Sequence, residues 1–492
     1  MIRHVALAAA LLLTVAAVPR PAAAAPLAAL PPTIRVNIAG LGTTYAKIGS
    51  TGIVTVTNAA GAVVYTGRQN TITRLGVRRL AEPDGIAARV PDPFTSVDER
   101  HNRVQQLREA KLAARLADVA ILTVPFEFSV ESDDPLKLPL FSSSTLVPLH
   151  FTTSDGLLTY NGRVYRGTFD LTRDDSGDMI VVNEVDTASY LASVVGSEVP
   201  SSWSPEALAA QAIAARTYLV RHLGKHDNYD LEGDTRDQEY DGLAGEVVST
   251  IRAVERTAGR IATYRGSPIE ALYSANAGGY TEDSENVFAN ALPYLRSVPS
   301  PADSVAEASS WGHTSWQWTT EYTAPQLRSY LAARGVDLGD VQRIELTRVT
   351  ATGRVTTARV VGTAGSRDIA KDSSRYYFGL RSSLFTVAVH PEETEMVATG
   401  DVDRIRAMER LGAKVVRTLM ISIRDPDRPR APRITGWMYS LPARFVFTGK
   451  GFGHGVGLSQ WGAQGMALAG ASAEQILTHY YQGIAITNIG GA

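Results

Sequence analysis

Apolar residues alternate with small or polar ones over Ile34-Arg-Val-Asn-Ile38 and from Gly52 to Val64, with turn-forming residues between, which predicts short strands early in the chain. A helix is expected from Val97 to Leu116. Ser96 and Glu99 have capping-box spacing at its start, and Val104, Leu107 and Leu116 give it an apolar stripe. From about Phe151 the texture changes. Tyr160-Asn-Gly162 is a turn signal between apolar segments, and Tyr165–Leu171 and Met179–Val185 read as strands. The chain then enters Gly196-Ser-Glu-Val-Pro200, read as a short loop bounded by Gly and Pro.

A helix from Pro205 to about Arg221 is the strongest prediction. Ser204 suits the N-cap, Pro205 the first helical position, and Glu206 the positive end of the dipole. Six alanines between 207 and 215 keep it slim, so neighbours can approach closely. Further strands are expected at Ile261–Tyr264, Pro268–Ser274, Val341–Val361 and Leu384–Val389, and helices at 323–335 and 401–412. Arg424–Arg433, with prolines among alternating charges, reads as a linker. Near the C-terminus, Gly449-Lys-Gly-Phe-Gly-His-Gly-Val-Gly457 precedes an Ala/Gly-rich helix. A last helix is capped by Ser472 with Gln475 and stopped by Gly483. Strands and helices mixed in this way predict an α+β fold.

The chain has 492 residues, 44% hydrophobic and 20% charged, enough for a large buried core and more than one domain. A formal net charge of −2 with interleaved signs argues against a nucleic-acid partner. Cysteine is absent, which excludes disulfides, thiolate metal sites and a cysteine nucleophile. Residues 1–25 have the layout of a secretory signal: Arg3, an apolar run from Val5 to Val18, and small residues at Ala22–Ala25. The run is short for a membrane span, and no later stretch is long enough for one. The mature protein is therefore expected outside the cytoplasmic membrane. Its parts would be 26–150, a smaller β-rich region of open role, and 151–490, which carries the chemistry and an insertion near 391–435.

Two segments could carry that chemistry. Glu198 lies between a strand and a helix, and Val195, Val199 and Trp203 could desolvate it and raise its pKa into general-acid range. By spacing alone, a solvated or capping carboxylate is the commoner explanation of such a Glu. The alternate glycines at 449, 451, 453, 455 and 457 permit close approach of a ligand or of another backbone. His454, Gln460 and Trp461 project from that region, where a tight structural crossing is the plain alternative. The run is not a dinucleotide fingerprint, because Val456 occupies the final Gly position. Gly457-Leu-Ser-Gln-Trp461 misses the nucleophile elbow, and His222 and His226 lack the Glu of a zincin. Trp311, Trp316 and Trp318 are read as core packing in preference to sugar stacking.

The ordered pieces Val182-Asn-Glu-Val185, Tyr190–Pro200, Pro205–Tyr218, Gln238-Glu-Tyr240 with Gly242, Gly278–Thr281, Gly449–Ala463 and His479–Gly483 resemble the SpoIID/LytB family of cell-wall proteins, from about 151 to 489. The resemblance implies a peptidoglycan lytic transglycosylase with Glu198 as catalytic acid/base. One carboxyl suffices there, since the sugar's own 6-hydroxyl closes onto the anomeric carbon and no water is activated. It also implies 1,6-anhydro-N-acetylmuramic ends, and a preference for glycan strands already stripped of stem peptides by an amidase. Gln211, Arg216, Tyr218, Gln238, Tyr240, His454 and Gln460 are the substrate-binding residues it suggests, although a buried Gln211/Arg216 pair serving the core fits the helix equally well. Some relatives hold zinc at a His-Ser-Thr-Cys-Gly-Gly stretch. Here the matching residues are Ser274-Ala-Asn-Ala-Gly-Gly279, so neither a metal nor another cofactor is expected. Two other readings stay open. One is a non-catalytic wall-binding protein that enhances an amidase. The other is a water-using muramidase, whose second carboxylate would be sought at Asp230, Asp234 or Glu239.

Overall fold

The structure is a computed structural model, and it describes residues 29–43, 45–67, 73–79, 127–132, 141–144, 148–173, 179–398, 400–410, 413–421 and 434–489. The secretory segment, the helix expected at Val97–Leu116 and the Arg424–Arg433 linker lie outside these residues. The described chain mixes helices and strands, as an α+β fold does.

One seven-stranded sheet organises the first half. Thr33–Asn37 runs antiparallel to Met179–Asp186, which pairs on its other side with Thr168–Arg173, then Leu149–Thr153 and Val54–Thr57. Strands from before and after position 150 share this sheet, and Leu149–Thr153 straddles that position. Buried Ile34, Val36, Val56, Phe151, Phe169, Val181 and Val185 join it to one continuous core. The Asn161-Gly162 turn closes the hairpin of Leu157–Tyr160 and Arg163–Arg166 as expected, both residues holding positive φ.

Helices pack on this sheet and around one another: α1 (Thr187–Glu198), α2 (Pro205–His222), α3 (Val248–Arg256), α4 (Gln460–Leu468) and α5 (Ala473–Tyr480). α1 follows directly from the strand that ends at Asp186, whose carboxylate caps it by accepting from Ser189 N at 2.9 Å. The Gly196–Glu198 stretch is therefore the last helical turn and not a loop. Val194, Val195 and Gly196 are weak helix formers, and tertiary burial overrides their propensity.

α2 has Ser204 at its N-cap and Pro205 at N1, and is buried from Ala207 to Leu219. Its alanines let α3, α4, α5 and the strand Arg260–Tyr264 pack directly on it. Glu206 braces its start, accepting from Ala473 N at 2.8 Å and pairing with Arg256 at 2.9 Å.

A second core forms between the sheet of Gln317–Thr323, Phe385–His390 and Arg444–Lys450 and the sheet of Val341–Val349, Val355–Gly362 and Gly365–Ala370. Between residues 393 and 441 the chain folds as its own small unit. Glu393–Ala398, Ile434–Leu441 and Lys414–Ile421 form a sheet, and the helix Val402–Arg410 buries Met408 against Val397, Tyr439 and Leu441. No helix among the described residues is long and apolar enough to cross a membrane.

Candidate active site

Glu198 is the last residue of α1 and remains half-buried. Three donors hold its carboxyl group. Oε1 accepts from the backbone N–H of Glu239 at 3.0 Å and from the Tyr273 hydroxyl at 3.1 Å, and Oε2 accepts from Gln460 Nε2 at 3.1 Å. Burial raises its pKa above the ordinary carboxylate range, and the three hydrogen bonds work against that rise. The negative end of α1 also opposes ionisation at this position.

Each donor is delivered by a specific crossing. Gly196 and Gly245 meet where α1 passes the 242–245 turn: a Cβ on Gly196 would lie 2.2 Å from Gly245 O, and one on Gly245 would lie 2.3 Å from Ser193 O. Only glycine at both places lets the backbones touch. The contact is fastened by Ser193 Oγ donating to Gly242 O at 2.6 Å and Asp241 N donating to Ser197 Oγ at 3.1 Å. It sets Glu239 N against Glu198.

The parallel pairing of Tyr273–Ser274 with Leu458–Ser459 brings Tyr273 beside the start of α4, so Tyr273 and Gln460 approach the carboxyl group together. Behind Tyr273 runs a chain of bonds with one direction. Tyr190 OH donates to Gln238 Oε1 at 3.1 Å, and Gln238 Nε2 donates to the Tyr273 oxygen at 2.9 Å.

Of the residues singled out from sequence, Glu198 and Gln460 are in contact, and Gln238 stands one bond behind. His454 belongs to the crossing: its Nδ1 accepts from Val456 N at 3.0 Å. Burial lowers its pKa to about 4, so the ring is neutral at ordinary pH. The glycine run around it is a structural crossing. Gly451, Gly453, Gly455 and Gly457 all hold positive φ, and a Cβ on Gly457 would lie 2.2 Å from Leu272 O.

The helix α2 residues have other tasks. Arg216 is fully buried and donates to Thr257 O at 2.8 Å, Val254 O at 3.0 Å and Arg260 O at 3.3 Å. It caps the C-terminal carbonyls of α3, where a cation opposes the helix dipole, and is not exposed to a substrate. Tyr218 donates to Asp237 Oδ1 at 2.8 Å and Tyr240 to Asn183 Oδ1 at 2.7 Å, both within the core. Gln211 is 1% exposed, and neither end of its amide has a hydrogen-bond partner among the described residues. The structural alternative for Gln211 and Arg216 is the one realised for Arg216.

Two neighbours of Glu198 were not singled out for this role. Tyr273 lay inside an expected strand, with nothing in its spacing to mark it. Glu239 lies in the Gln238-Glu-Tyr240 piece, and the sequence offers its side chain as the possible second acid of a hydrolase. Burial and the charge of Glu198 push its pKa up to about 7. Asp230 bonds Arg35, and Asp234 bonds Arg236. At the stretch matched to a zinc site, Ser274 and Ala277 offer neither imidazole nor thiolate, and Ser274 Oγ accepts from Gly455 N. These residues do not fit a zinc ion.

The SpoIID family model, described as Stage II sporulation protein, matches residues 175–264, which contain α1, α2, Glu198 and Glu239. A protein of Brachyspira hyodysenteriae, itself described as uncharacterized, is 30% identical over 341 residues, covering 69% of this chain and 76% of that protein. The chain belongs to the SpoIID family. Stage II sporulation protein D of Bacillus amyloliquefaciens is 29% identical over 62% of this chain and 75% of its own length. The Amidase enhancer of Bacillus subtilis is 28% identical over 61% of this chain, and the match spans only 40% of that relative. Glu198 and its donor Glu239 N lie within the SpoIID match. Tyr273, His454 and Gln460 come from beyond it.

Proposed function

We propose that the protein is an exported peptidoglycan lytic transglycosylase that cuts MurNAc–GlcNAc strands, stripped of stem peptides, to 1,6-anhydroMurNAc ends, with Glu198 as general acid and then base. One observation carries the reading: a half-buried carboxyl group at a helix C-terminus, whose pKa burial raises, is gripped by three donors.

Oε1 already accepts two hydrogen bonds and Oε2 only one, so the proton belongs on Oε2. From there it passes to the glycosidic oxygen as the C1–O4 bond breaks. The carboxylate, now held by all three donors, takes the proton of the 6-hydroxyl as O6 closes onto C1. Atoms and protons balance without water, and the same carboxyl group serves both halves. Because the donors bind the ionised form best, they stabilise Glu198 as its charge develops.

Gln460 and Tyr273 orient the acid directly. Gln238 and Tyr190 do so through Tyr273. Export rests on the leader-like segment 1–25, and a partner amidase on the chemistry of stripped strands and on the printed name of one relative. That name also favours the second reading, a wall-binding amidase enhancer without catalysis of its own.

Product ends distinguish the readings. Mass spectrometry of amidase-stripped strands treated with the protein should find 1,6-anhydroMurNAc termini. Reducing termini would replace the transglycosylase by a hydrolase, and no cleavage would leave the enhancer.

A further inference from the structure

Three tryptophans form a ladder on the elements that hold Glu198 and Gln460. Trp203, five residues after Glu198, meets Trp461 with ring centroids 4.8 Å apart, and Trp461 meets Trp311 at 5.0 Å. Trp461 is 6% exposed and Trp203 partly buried, whereas Trp311 is 57% exposed. Trp461 follows Gln460, which bonds Glu198, so the ladder shares the start of α4 with a donor to the acid and ends in solvent.

The exposed ring is held there by design of the backbone. Gly312, next to Trp311, is buried, and a Cβ on it would lie 2.3 Å from Trp461 Cζ2. Only glycine lets the chain lie this close to the Trp461 ring. The preceding segment, Pro301–Ala308, packs on α4 and is tied down by Asp303. Asp303 accepts from Ser459 Oγ at 2.5 Å and from Gly279 N at 3.0 Å, and Ser300 bonds Tyr480 at 2.7 Å. A single exposed aromatic is common on protein surfaces. An exposed indole in tilted contact with Trp461, which in turn meets Trp203, on a segment anchored at the helix that carries Gln460, is not a stray side chain.

Its neighbours Ser310 and His313 are exposed and polar. An exposed indole on a polar stretch of chain suits a ring that is apolar on its C–H face and hydroxylated at its edge. A protein partner would more commonly use a wider apolar patch.

We infer that Trp311, backed by Trp461 and Trp203, is a stacking platform for a pyranose ring of the glycan strand, forming a binding subsite next to Glu198. The inference rests on the glycan-cleaving reading, and it replaces core packing as the role of Trp311. Trp318, by contrast, is buried and donates to Gly451 O at 2.9 Å.

The test uses amidase-stripped GlcNAc–MurNAc strands with the full chain, as cleavage by the wild type and as binding to the Glu198→Gln protein. Trp311→Ala should raise KM, and weaken binding to the Glu198→Gln protein, by about tenfold, with kcat within about twofold. Trp311→Tyr should recover most of the affinity, and all variants should melt together. Strands should also change the indole fluorescence of the Glu198→Gln protein, and that change should shrink when Trp311 is removed. Unchanged affinity and KM in Trp311→Ala, with strands still bound and cut, would overturn the platform alone. A wild type that neither binds nor cuts the strands would overturn the glycan reading and the platform with it.

Discussion

Gln238 donates to Tyr273, and this fixes where the Tyr273 proton goes. The amide nitrogen of Gln238 faces two acceptors, the Tyr273 oxygen at 2.9 Å and Ala215 O at 3.5 Å, while its amide oxygen receives Tyr190. The hydroxyl of Tyr273 is thus occupied as an acceptor, and its one proton is left for Glu198 at 3.1 Å. Tyr273→Phe should therefore lower kcat by roughly tenfold, the equivalent of one hydrogen bond to a charged group. A donor to the ionised form lowers a pKa, so its loss raises that of Glu198. The alkaline limb of the pH–rate profile should then move to higher pH. A profile that falls in height without moving would count against this arrangement.

Glu239 and Glu198 are expected to titrate as a pair. The Glu198 charge helps raise Glu239 to about 7, so Glu198→Gln should lower the Glu239 pKa, a change that carbon NMR of the labelled carboxyl groups would read directly. The stability consequence follows in sign. A carboxyl group whose folded pKa lies above its unfolded value favours folding at low pH, and that contribution is lost as pH rises from about 4.5 to about 7. Glu239→Gln should therefore raise the melting temperature at pH 8 relative to wild type, and by less at pH 4.5. An equal effect at both pH values would contradict the shift.

Arg216 should behave as a structural residue. Arg216→Met removes the charged donor shared by the carbonyls of residues 254, 257 and 260, so unfolding free energy should fall by about 3 kcal/mol while KM of the folded enzyme stays within about twofold. A raised KM at unchanged stability would return Arg216 to the substrate.

The Gly196–Gly245 contact links the fold to the site. Gly245→Ala puts a methyl group against Ser193 O, a backbone atom that must move. The expected cost is about 2–3 kcal/mol in stability, with activity reduced several-fold because Glu239 N retreats from Glu198. Denaturant melts and initial rates on the same preparation would check both effects.

Much of this site could be read from the sequence where the signal was local. The caps and alanines of α2 predicted its start, length and tight packing, and Gln460 was picked out by the glycine run before it. What escaped depends on distant pairing. Thr33–Asn37 finds its partner at Met179–Asp186, and no local pattern announces that the early strands enter the same sheet as the strand that leads into α1. Arg216 reads like a ligand group because a charge in a helix is usually exposed, and only the carbonyls of residues 254, 257 and 260 explain its burial. Tyr273 is one tyrosine among 19, distinguished only by the parallel pairing that sets it against α4. Residues 187–198 contain β-branched residues and a glycine that disguise a helix, and the Asp186 cap is the one local hint.

The most direct test of the central claim is the rate at which Glu198→Gln releases 1,6-anhydroMurNAc ends from stripped strands that it still binds. The account predicts a loss of at least about a thousandfold in kcat with binding preserved, since the amide keeps the shape of the side chain but can neither give up nor accept the proton. A Glu198→Gln protein that cuts strands at the wild-type rate would contradict it.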